Sequence, residues 1–340
     1  MTDPTRTRLR ATFAAFAALS AGALILTGCG TSVTADTTDT ADTDHMITVA
    51  NCEREIVLDG PPEAVVGLHP AQTELLLRLG LADRLVGQAQ STAQALPDDV
   101  AALVEDVPVV GGAMPPSRED LLSVEPDFVY SPTTYEFTAE QGFASIEQLE
   151  QAGAAVYVAA GGCKERRMDG EVTDLFLDLE NLGTVFGVED AAADLIAESE
   201  ADLEAVSAAV SDVDKLRVAQ VYVEGSTLQG IGAGIEYDIL RSAGADGIFT
   251  PEQPAFAGFF AATVSPESLA AEEPDALVFS VYDDAHEAAT REYLTSTFPD
   301  MPAVRDGRLI AVSSADMFPG TLGNIEVVRQ IAEALYPDEF

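Results

Sequence analysis

Short apolar runs alternate with helical patterns along most of the chain. In the first half, the runs that predict buried strands lie at 64–68, 84–87, 107–110, 128–130 and 155–158. In the second half, similar runs lie at 217–223, 276–281 and 309–312. Because helical patterns separate these runs, the order of elements is typical of mostly parallel sheets covered by helices. The pattern therefore predicts an α/β fold.

One stretch of the chain occurs twice. Its first copy runs from Ser117 through Arg-Glu-Asp-Leu to Glu125-Pro126-Asp127, and its second from Ser265 through Pro-Glu-Ser-Leu to Glu273-Pro274-Asp275. In each copy the serine suits the N-cap of a short helix, the proline ends that helix, and an apolar run follows. The copies lie much further apart than the ~20–50 residues of a solenoid repeat. This spacing favours two similar α/β lobes with a ligand cleft between them.

A long amphipathic helix is predicted between the two lobes, over residues 189–213. Its apolar positions recur every three or four residues, while Glu and Asp fill the opposite face. These positions are Ala192, Leu195, Ile196, Ser199, Leu203, Val206 and Val210. Because neither Gly nor Pro interrupts the segment, we expect a stiff connector. The predicted organisation is an N-terminal lobe at 46–188, this helix, and a C-terminal lobe at 214–340.

The N-terminus carries an export signal. Arg6, Arg8 and Arg10 precede an apolar run at 11–26, and small residues follow, which predicts a signal peptide at 1–28. Its Leu-Thr-Gly-Cys ending resembles the lipobox of bacterial lipoproteins, in which Cys29 would carry the lipid. An ordinary secretory signal that happens to end in Cys is the alternative.

The segment after this signal, at 29–45, is mostly Thr, Asp, Ala and Ser, and it predicts a flexible spacer. No other segment reaches the ~18 uncharged apolar residues that span a bilayer. We therefore expect an extracytoplasmic protein that is attached to the cell membrane by its lipid anchor.

Charge is the most unusual part of the composition. The chain has 58 acidic and 17 basic residues, for a net charge of −41. Such a surface repels DNA, RNA and anionic headgroups, so nucleic-acid binding is excluded. A solvated surface that tolerates salt explains most of these carboxylates. Since 47% of the residues are hydrophobic, the chain has ample material for two cores.

Two cysteines follow the signal segment. If Cys29 is acylated, Cys52 and Cys163 are the remaining thiols. In an oxidising compartment such a pair normally forms a disulfide bond, which is our expectation. Two independent buried thiols are the alternative.

Several motifs, in a fixed order, carry a family resemblance. They are Pro-Pro-Glu-Ala-Val-Val-Gly-Leu-His-Pro-Ala-Gln-Thr-Glu-Leu-Leu at 61–76, Leu-Gly-Leu-Ala-Asp-Arg-Leu-Val-Gly at 79–87, both copies of the repeat, and Leu-Gly with Phe-Gly at 182–187. Residues 47–336 thereby resemble the substrate-binding proteins of iron-siderophore and cobalamin ABC importers. The resemblance implies two lobes joined by a single long helix, a ligand in the cleft between them, and little closure on binding. We expect a monomer.

The repeated glutamates have two interpretations. Glu119 and Glu267 lie in the first turn of the two short helices, where the helix dipole favours a negative charge. That alone is a sufficient structural explanation. The resemblance implies a second role, in which one acidic residue on top of each lobe docks against arginines of the membrane permease. Charge pairs of this kind mainly steer and register an encounter.

Ligand-binding candidates follow the carboxyl ends of the predicted strands, where open α/β sheets bind ligands. In the first lobe they are His69, Pro70, Gln72, Met114, Tyr135, Phe137, Lys164, Arg166 and Arg167. In the second lobe they are Glu224, Phe259, Tyr282, Met317 and Phe318. The aromatic and methionine side chains would offer apolar walls to a bulky ligand, although some of them are equally suited to the core.

The charged candidates and His69 each have a plain alternative. Lys164, Arg166 and Arg167 form a dense basic cluster that would attract an anionic chelate through charge-assisted hydrogen bonds. Local pairing with Glu165, Asp169 and Glu171 is equally open. His69 stands where the resembled family often has Ser or Ala. We expect it to be a hydrogen-bonding residue of the cleft or a structural histidine.

Motifs for catalysis, cofactors and metal ions are weak or missing in the sequence. Gly230-Ile231-Gly232-Ala233-Gly234 resembles a phosphate cradle, but its third glycine comes one residue early and Glu236 would repel a phosphate. We predict a tight loop that faces the ligand. There is no Gly-x-Ser-x-Gly elbow, and the three histidines are not clustered. We therefore predict no catalytic residue, no cofactor and no bare metal site.

The function that these observations favour is capture of a metal chelate for an ABC permease, with a ferric siderophore first. Cobalamin or haem binding by the same fold is the alternative. An extracytoplasmic hydrolase or an adhesion module of similar shape is the alternative from a different class.

Overall fold

A hairpin precedes the two lobes in the computed structural model, which describes residues 46–91 and 95–340. Its strands are β1 (Ile47–Asn51) and β2 (Arg54–Leu58), and they pair antiparallel. Both turn residues, Cys52 and Glu53, have positive φ angles, of 50° and 56°. Such a two-residue turn matches the twist of the strands, although non-glycine residues adopt this conformation at a cost.

The first lobe contains a five-stranded sheet, whose strands are β3 (Val65–Gly67), β4 (Leu85–Ala89), β5 (Val109–Gly111), β6 (Phe128–Ser131) and β7 (Ala155–Val158). Their order is β5-β4-β3-β6-β7, and all neighbouring strands are parallel. The helices of this lobe are α1 (Pro70–Arg78), α2 (Asp98–Ala101), α3 (Arg118–Leu122), α4 (Ile146–Gln151) and α5 (Asp174–Phe186). Each apolar run predicted as a strand in this half forms one.

The second lobe contains a mixed sheet, whose strands are β8 (Arg217–Glu224), β9 (Thr227–Ile231), β10 (Asp246–Gly247), β11 (Ala261–Thr263), β12 (Ala276–Val281) and β13 (Leu309–Ser313). Their order is β11-β9-β8-β12-β13, and β10 also pairs with β8. The three strands that the sequence predicts are parallel, whereas β9 and β11 form an antiparallel extension that it did not predict. The helices are α7 (Gly234–Ser242), α8 (Pro266–Ala271), α9 (Asp284–Thr297), α10 (Pro302–Arg305) and α11 (Gly323–Leu335).

The lobes are joined by α6 (Glu189–Ala209), a helix of 21 residues that ends four residues before its predicted end. Its buried positions are Ala192, Ser199 and Val206, which belong to the predicted apolar stripe. It contacts α5 of the first lobe and α11 of the second. The close packing of α5 against α6 needs a glycine at 183, because a Cβ there would lie 2.9 Å from the Cβ of Ala192.

The hydrophobic core is shared between the lobes. Its largest cluster includes Val65 and Phe128 of the first sheet, Leu179 of α5, Val278 of the second sheet and Ile331 of α11. Two smaller clusters belong to one lobe each. A shared core resists relative motion of the lobes, because separating them would expose apolar surface to water.

The repeated segment has the same local structure in both lobes. Glu125 and Glu273 both have a φ of 47°. The carboxylate of Asp127 accepts backbone N–H bonds from Glu63 and Ala64, and that of Asp275 accepts one from Arg217. The motif therefore anchors the start of the central strand of each sheet, which explains its repetition.

The predicted disulfide bond between Cys52 and Cys163 is present, and the two cysteines are 111 residues apart in sequence. It joins the hairpin turn to the loop after β7. Within the described residues, no helix is both long and apolar enough to cross a membrane. The predicted signal peptide, Cys29 and the spacer lie outside the described residues.

Candidate functional site

A cavity of about 530 Å³ lies at the carboxyl ends of β8, β12 and β13. Most of its lining comes from the second lobe, and Arg167 of the first lobe completes it. The lining residues are Arg167, Gln220, Tyr222, Gln229, Ile231, Glu236, Phe259, Phe260, Ala261, Ser280, Tyr282, Ser314, Met317 and Phe318. This position is the one expected for a ligand in an open α/β sheet, and the mixture of aromatic walls with a few polar groups is typical of small-molecule sites.

Exposed aromatic rings contribute to the lining of the cavity. The ring of Tyr282 stacks on that of His286, with centroids 4.1 Å apart. His286 is fixed in turn, because its Nε2 lies 2.7 Å from the carbonyl oxygen of Val223. Tyr282 and Phe259 remain 43% and 58% exposed, respectively. Their free faces are available to a ligand.

Arg167 and Glu236 form an ion pair between the lobes at the cavity wall. The guanidinium donates two hydrogen bonds to the carboxylate, at 2.9 and 2.6 Å. Its Cζ also lies 3.9 Å from the centroid of the Phe260 ring. The pair is largely buried, with 18% and 11% of the two side chains exposed. Such bidentate pairing with ring stacking is the geometry that arginine supports best.

The rest of the predicted basic cluster does not line the cavity. Arg166 donates hydrogen bonds to Asp174 and Glu171. Glu171 is a predicted local partner, whereas Asp174 was not predicted. These hydrogen bonds, above all those to Asp174, raise the pKa of Arg166 above its ordinary value. Lys164 is exposed. Of the three cations, the structure brings only Arg167 to the cavity.

His69, Pro70 and Gln72 lie at a contact between the lobes and not among the lining residues. Nδ1 of His69 accepts the N–H of Ala71 at 3.3 Å, so the ring caps α1. The same ring packs against that of Phe318, with centroids 4.5 Å apart. Burial lowers the pKa of His69 to about 4, so the ring is neutral at pH 7. This placement matches the structural interpretation of His69.

A buried polar network continues this contact. Gln72 donates to the carbonyl oxygens of Pro319 and Gly320, at 2.9 and 3.2 Å. The hydroxyl of Tyr130 also donates to Gly320, at 3.1 Å. Gly320 has a φ of 72°, and a Cβ there would lie 2.4 Å from the Tyr130 hydroxyl oxygen. Only glycine therefore fits where the second lobe meets the first.

Asp178 lies beside this network and is fully buried. Its Oδ1 accepts hydrogen bonds from the hydroxyl of Tyr157 and the N–H of Ala160, both at 2.8 Å. Burial raises the pKa of Asp178 from 3.8 to about 8, and the charge of Asp174 adds to the shift. The carboxyl group is therefore protonated in the folded protein at neutral pH.

Asp178 should make the stability of the fold depend on pH. Between about pH 4 and pH 8 the folded chain holds a proton at Asp178 that the unfolded chain releases, so the free energy of unfolding should fall as pH rises. The expected contribution is up to about 5 kcal/mol across this window. Asp178→Asn cannot titrate and should show a flatter profile. Urea unfolding of both proteins at several pH values measures the difference, and equal slopes would contradict the assignment.

The remaining candidates are scattered. Met114 and Tyr135 are exposed on the first lobe, and Phe137 is buried in a core cluster of that lobe. Glu224 accepts a hydrogen bond from the Tyr222 hydroxyl at 2.8 Å, just outside the lining. Phe259, Tyr282, Met317 and Phe318 do line the cavity. The structure thus gathers the candidates of the second lobe far better than those of the first.

The glycine-rich segment packs closely against its surroundings. Ile231 lines the cavity, and a Cβ at Gly232 would lie 2.7 Å from the Phe256 ring. Gly234 has a φ of 72°, and its Cβ would lie 2.5 Å from a guanidinium nitrogen of Arg167. These glycines allow the close approach that the sequence predicted for a tight loop.

Several lining residues were missed by the sequence analysis. Gln220 and Tyr222 lie two residues apart on β8, and Ala261, Ser280 and Ser314 were missed as well. A usable signal existed at Gln220, because a polar residue inside an otherwise apolar strand needs a partner or a ligand. In the described part of the chain, the potential metal ligands that lie together are Cys52, Cys163 and Glu165, and the two sulfurs are joined in the disulfide.

Glu119 and Glu267 occupy equivalent places in the two lobes. Ser117 accepts the N–H of Asp120 at the start of α3, and Ser265 accepts that of Ser268 at the start of α8. Each glutamate follows its cap in the first turn and is exposed. The two carboxylates are therefore held on corresponding short helices and face solvent.

Comparison with known proteins fits this architecture. Residues 65–315 match the family model described as periplasmic binding protein. The chain belongs to this family. It is 24% identical over 337 residues to the uncharacterized ABC transporter substrate-binding lipoprotein YvrC of Bacillus subtilis, covering 96% of this chain and 97% of that protein. It is 20% identical to the vitamin B12-binding protein of Vibrio campbellii, over 81% of this chain and 90% of the relative.

Solved structures of periplasmic binding proteins share the fold. One is the ABC-type Fe3+-hydroxamate transport system protein of Saccharomonospora viridis, with a TM-score of 0.69 and 23% identity over 85% of this chain and 98% of that chain. The two lobes joined by one long helix are thus the fold of this family, as the sequence resemblance implied.

Proposed function

We propose that this periplasmic binding protein is the substrate-binding component of an ABC importer and that it captures a metal chelate, with a ferric siderophore as the first candidate. The observation that carries the proposal is the cavity at the strand ends, whose aromatic and methionine walls suit a bulky, partly apolar ligand. The name of the Bacillus relative supports the role in an ABC transporter, and that of the Saccharomonospora protein supports a ferric chelate as the ligand.

Delivery is proposed to involve little closure of the lobes. They share a hydrophobic core, and they contact each other both through Gln72 and Tyr130 and through the Arg167–Glu236 pair. A change in the relative orientation of the lobes would break these contacts. A permease would then recognise the bound protein as a rigid body, and exposed Glu119 and Glu267 are proposed as its two docking points.

The protein is further proposed to work outside the cytoplasm while attached to the membrane by a lipid on Cys29. The signal segment, the Leu-Thr-Gly-Cys ending and the lipoprotein relative support this proposal. Mass spectrometry of the protein from its own membranes tests it. The expected result is a mature chain that starts at an acylated Cys29, and a chain that retains the signal segment would contradict it.

A ligand panel tests the proposed function. Calorimetric titration of the purified protein with ferric hydroxamates, ferric catecholates, ferric citrate, haem and cobalamin should give tight binding to one class of ferric chelate. Binding of cobalamin alone would instead support the second candidate, which the Vibrio relative favours. Absence of binding by the whole panel would refute chelate capture.

The exposed rings of the cavity wall should carry much of the affinity. Tyr282→Ala and Phe259→Ala should each weaken ligand binding by about tenfold, because each removes an aromatic ring that would pack against the ligand. Stability should change little, since both rings are substantially exposed. Tyr135→Ala is the matched control, because Tyr135 is exposed to a similar extent outside the lining. Equal affinity losses in all three variants would show that this cavity is not the binding site.

A further inference from the structure

We infer that the cavity selects an uncharged or cationic chelate and discriminates against anionic ones, an inference that rests on the proposed function. The sequence alone suggested the opposite, since its basic cluster would suit an anionic chelate. The pairing of these cations in the folded protein reverses that expectation.

The cation of the lining is already neutralised. Arg167 donates two hydrogen bonds to Glu236, so one edge of its guanidinium group faces the carboxylate and not the cavity. The flat face of the guanidinium rests on Phe260. An anionic ligand would have to draw Arg167 away from a largely buried carboxylate, which would then be left without its counter-charge. Breaking such a pair is strongly unfavourable.

The backbone around the pair keeps Arg167 in place. Gly234 donates its N–H to the carbonyl oxygen of Met168, next to Arg167, at 3.0 Å. The positive φ of Gly234 brings the start of α7 against the arginine, where a Cβ would collide with the guanidinium and with the Arg167 carbonyl oxygen. Asp238, one turn further along α7, accepts the N–H of Val172 at 2.8 Å. This segment of the first lobe is therefore bound to α7 at several points and cannot easily turn toward a ligand.

The other polar groups of the lining carry no positive charge that would attract an anion. Gln220, Gln229, Ser280 and Ser314 all have neutral side chains. Burial and the nearby Glu224 raise the pKa of Tyr222, so its hydroxyl stays uncharged at neutral pH. Glu224 itself lies just beyond, and its negative charge repels an approaching anion.

The charge of the whole protein acts in the same direction. With a net charge of −41, the chain repels anions before they reach the cavity. A focused positive site could overcome this field locally, but among the described residues the lining offers only the paired Arg167. An uncharged chelate is insensitive to the field, and a cationic one is attracted by it.

Two ferric chelates of similar bulk and different charge provide the test. Three hydroxamate groups balance the charge of Fe3+ and leave the complex neutral, whereas three catecholate groups leave it with three negative charges. Calorimetric titration should show that the neutral trihydroxamate complex binds at least roughly tenfold more tightly than the tricatecholate complex. A cationic trihydroxamate complex, with an added ammonium group, should bind as well as the neutral one or better.

Release of Arg167 should weaken the discrimination. Glu236→Gln leaves the guanidinium without its counter-charge, so the affinity for the tricatecholate complex should rise by roughly tenfold. Asp174→Asn is the matched control, because it removes one of the two carboxylates that pair with Arg166, which lies outside the lining. The control should leave the preference unchanged.

The outcomes separate the two proposals. Tighter binding of the tricatecholate complex to the unchanged protein would overturn the charge inference and leave chelate capture intact. A gain for the anionic complex in Asp174→Asn as large as in Glu236→Gln would also overturn it, because the effect would then not belong to the cavity. Failure of every chelate to bind would overturn the proposed function and the inference together.

Discussion

Reversing both repeated glutamates should abolish uptake while leaving ligand binding intact. The variant that combines Glu119→Arg with Glu267→Arg replaces two exposed carboxylates with cations. At the proposed contact, these cations would repel the arginines of the permease. Charge reversal at such contacts costs several kcal/mol of encounter free energy. Uptake of the ligand by cells that carry only this variant should fall to the background level of cells without the protein.

The unfolding free energy of this variant should change by no more than about 0.5 kcal/mol per site, because both side chains are exposed. A matched control reverses Glu198 and Glu204, two exposed carboxylates of α6, and makes the same change in net charge. It should transport normally. If the docking variant lost ligand affinity in proportion to its loss of uptake, the two glutamates would belong to the ligand site and the docking proposal would be wrong.

Loss of the disulfide should cause the largest change in stability. The bond spans 111 residues, and closing a loop of this length stabilises a fold by about 4–5 kcal/mol in the chain-entropy model. It also fixes the hairpin turn, in which Cys52 and Glu53 both adopt a left-handed conformation that non-glycine residues disfavour. Urea unfolding of the double variant Cys52→Ser with Cys163→Ser should show a loss of this order.

Side-chain contacts limit the structural consequences of removing the bond. Asn51 forms two hydrogen bonds with the backbone of Val158, at 2.7 and 2.9 Å, and Arg54 donates one to Val156. The hairpin should therefore stay attached to the edge of the first sheet under native conditions. The unchanged protein in reductant should match the double variant. A difference in unfolding free energy of less than about 1 kcal/mol between oxidised and reduced protein would contradict the prediction.

Local sequence determined the parallel strands and the connecting helix of this protein. The apolar runs of both halves form strands, because a run of apolar residues between helical patterns has few ways to avoid water except as a buried strand. Serine caps act through hydrogen bonds to residues three positions away, so the short helices of both repeats could be interpreted without the fold. The aspartates of the Glu-Pro-Asp turns instead bond to distant backbone groups, which only the fold shows. The pairing of Cys52 with Cys163 could be predicted because they are the two thiols that remain after Cys29 and because an oxidising compartment favours disulfide bonds.

Local sequence did not predict the first hairpin or the antiparallel strands β9 and β11. The turn at Cys52 and Glu53 has no glycine to indicate it, and tertiary contacts of Asn51 and the disulfide hold it. The antiparallel strands are short, and β9 contains a glycine that makes room for the ring of Phe249. Packing by distant residues overrides local preference at both places.

The tertiary structure alone decided which charged residues are available to a ligand. Arg166 and Arg167 are neighbours in the sequence, but one pairs with Asp174 in the same lobe and the other with Glu236, 69 residues away in the second lobe. His69 and Gln72 likewise became contacts between lobes, because Phe318, Pro319 and Gly320 pack against them. Sequence specifies the positions of charges along a chain, whereas their energies depend on burial and on partners in space. The short helices of the repeats and the α/β lobes could therefore be predicted from local sequence, whereas the character of the cavity was determined by folding.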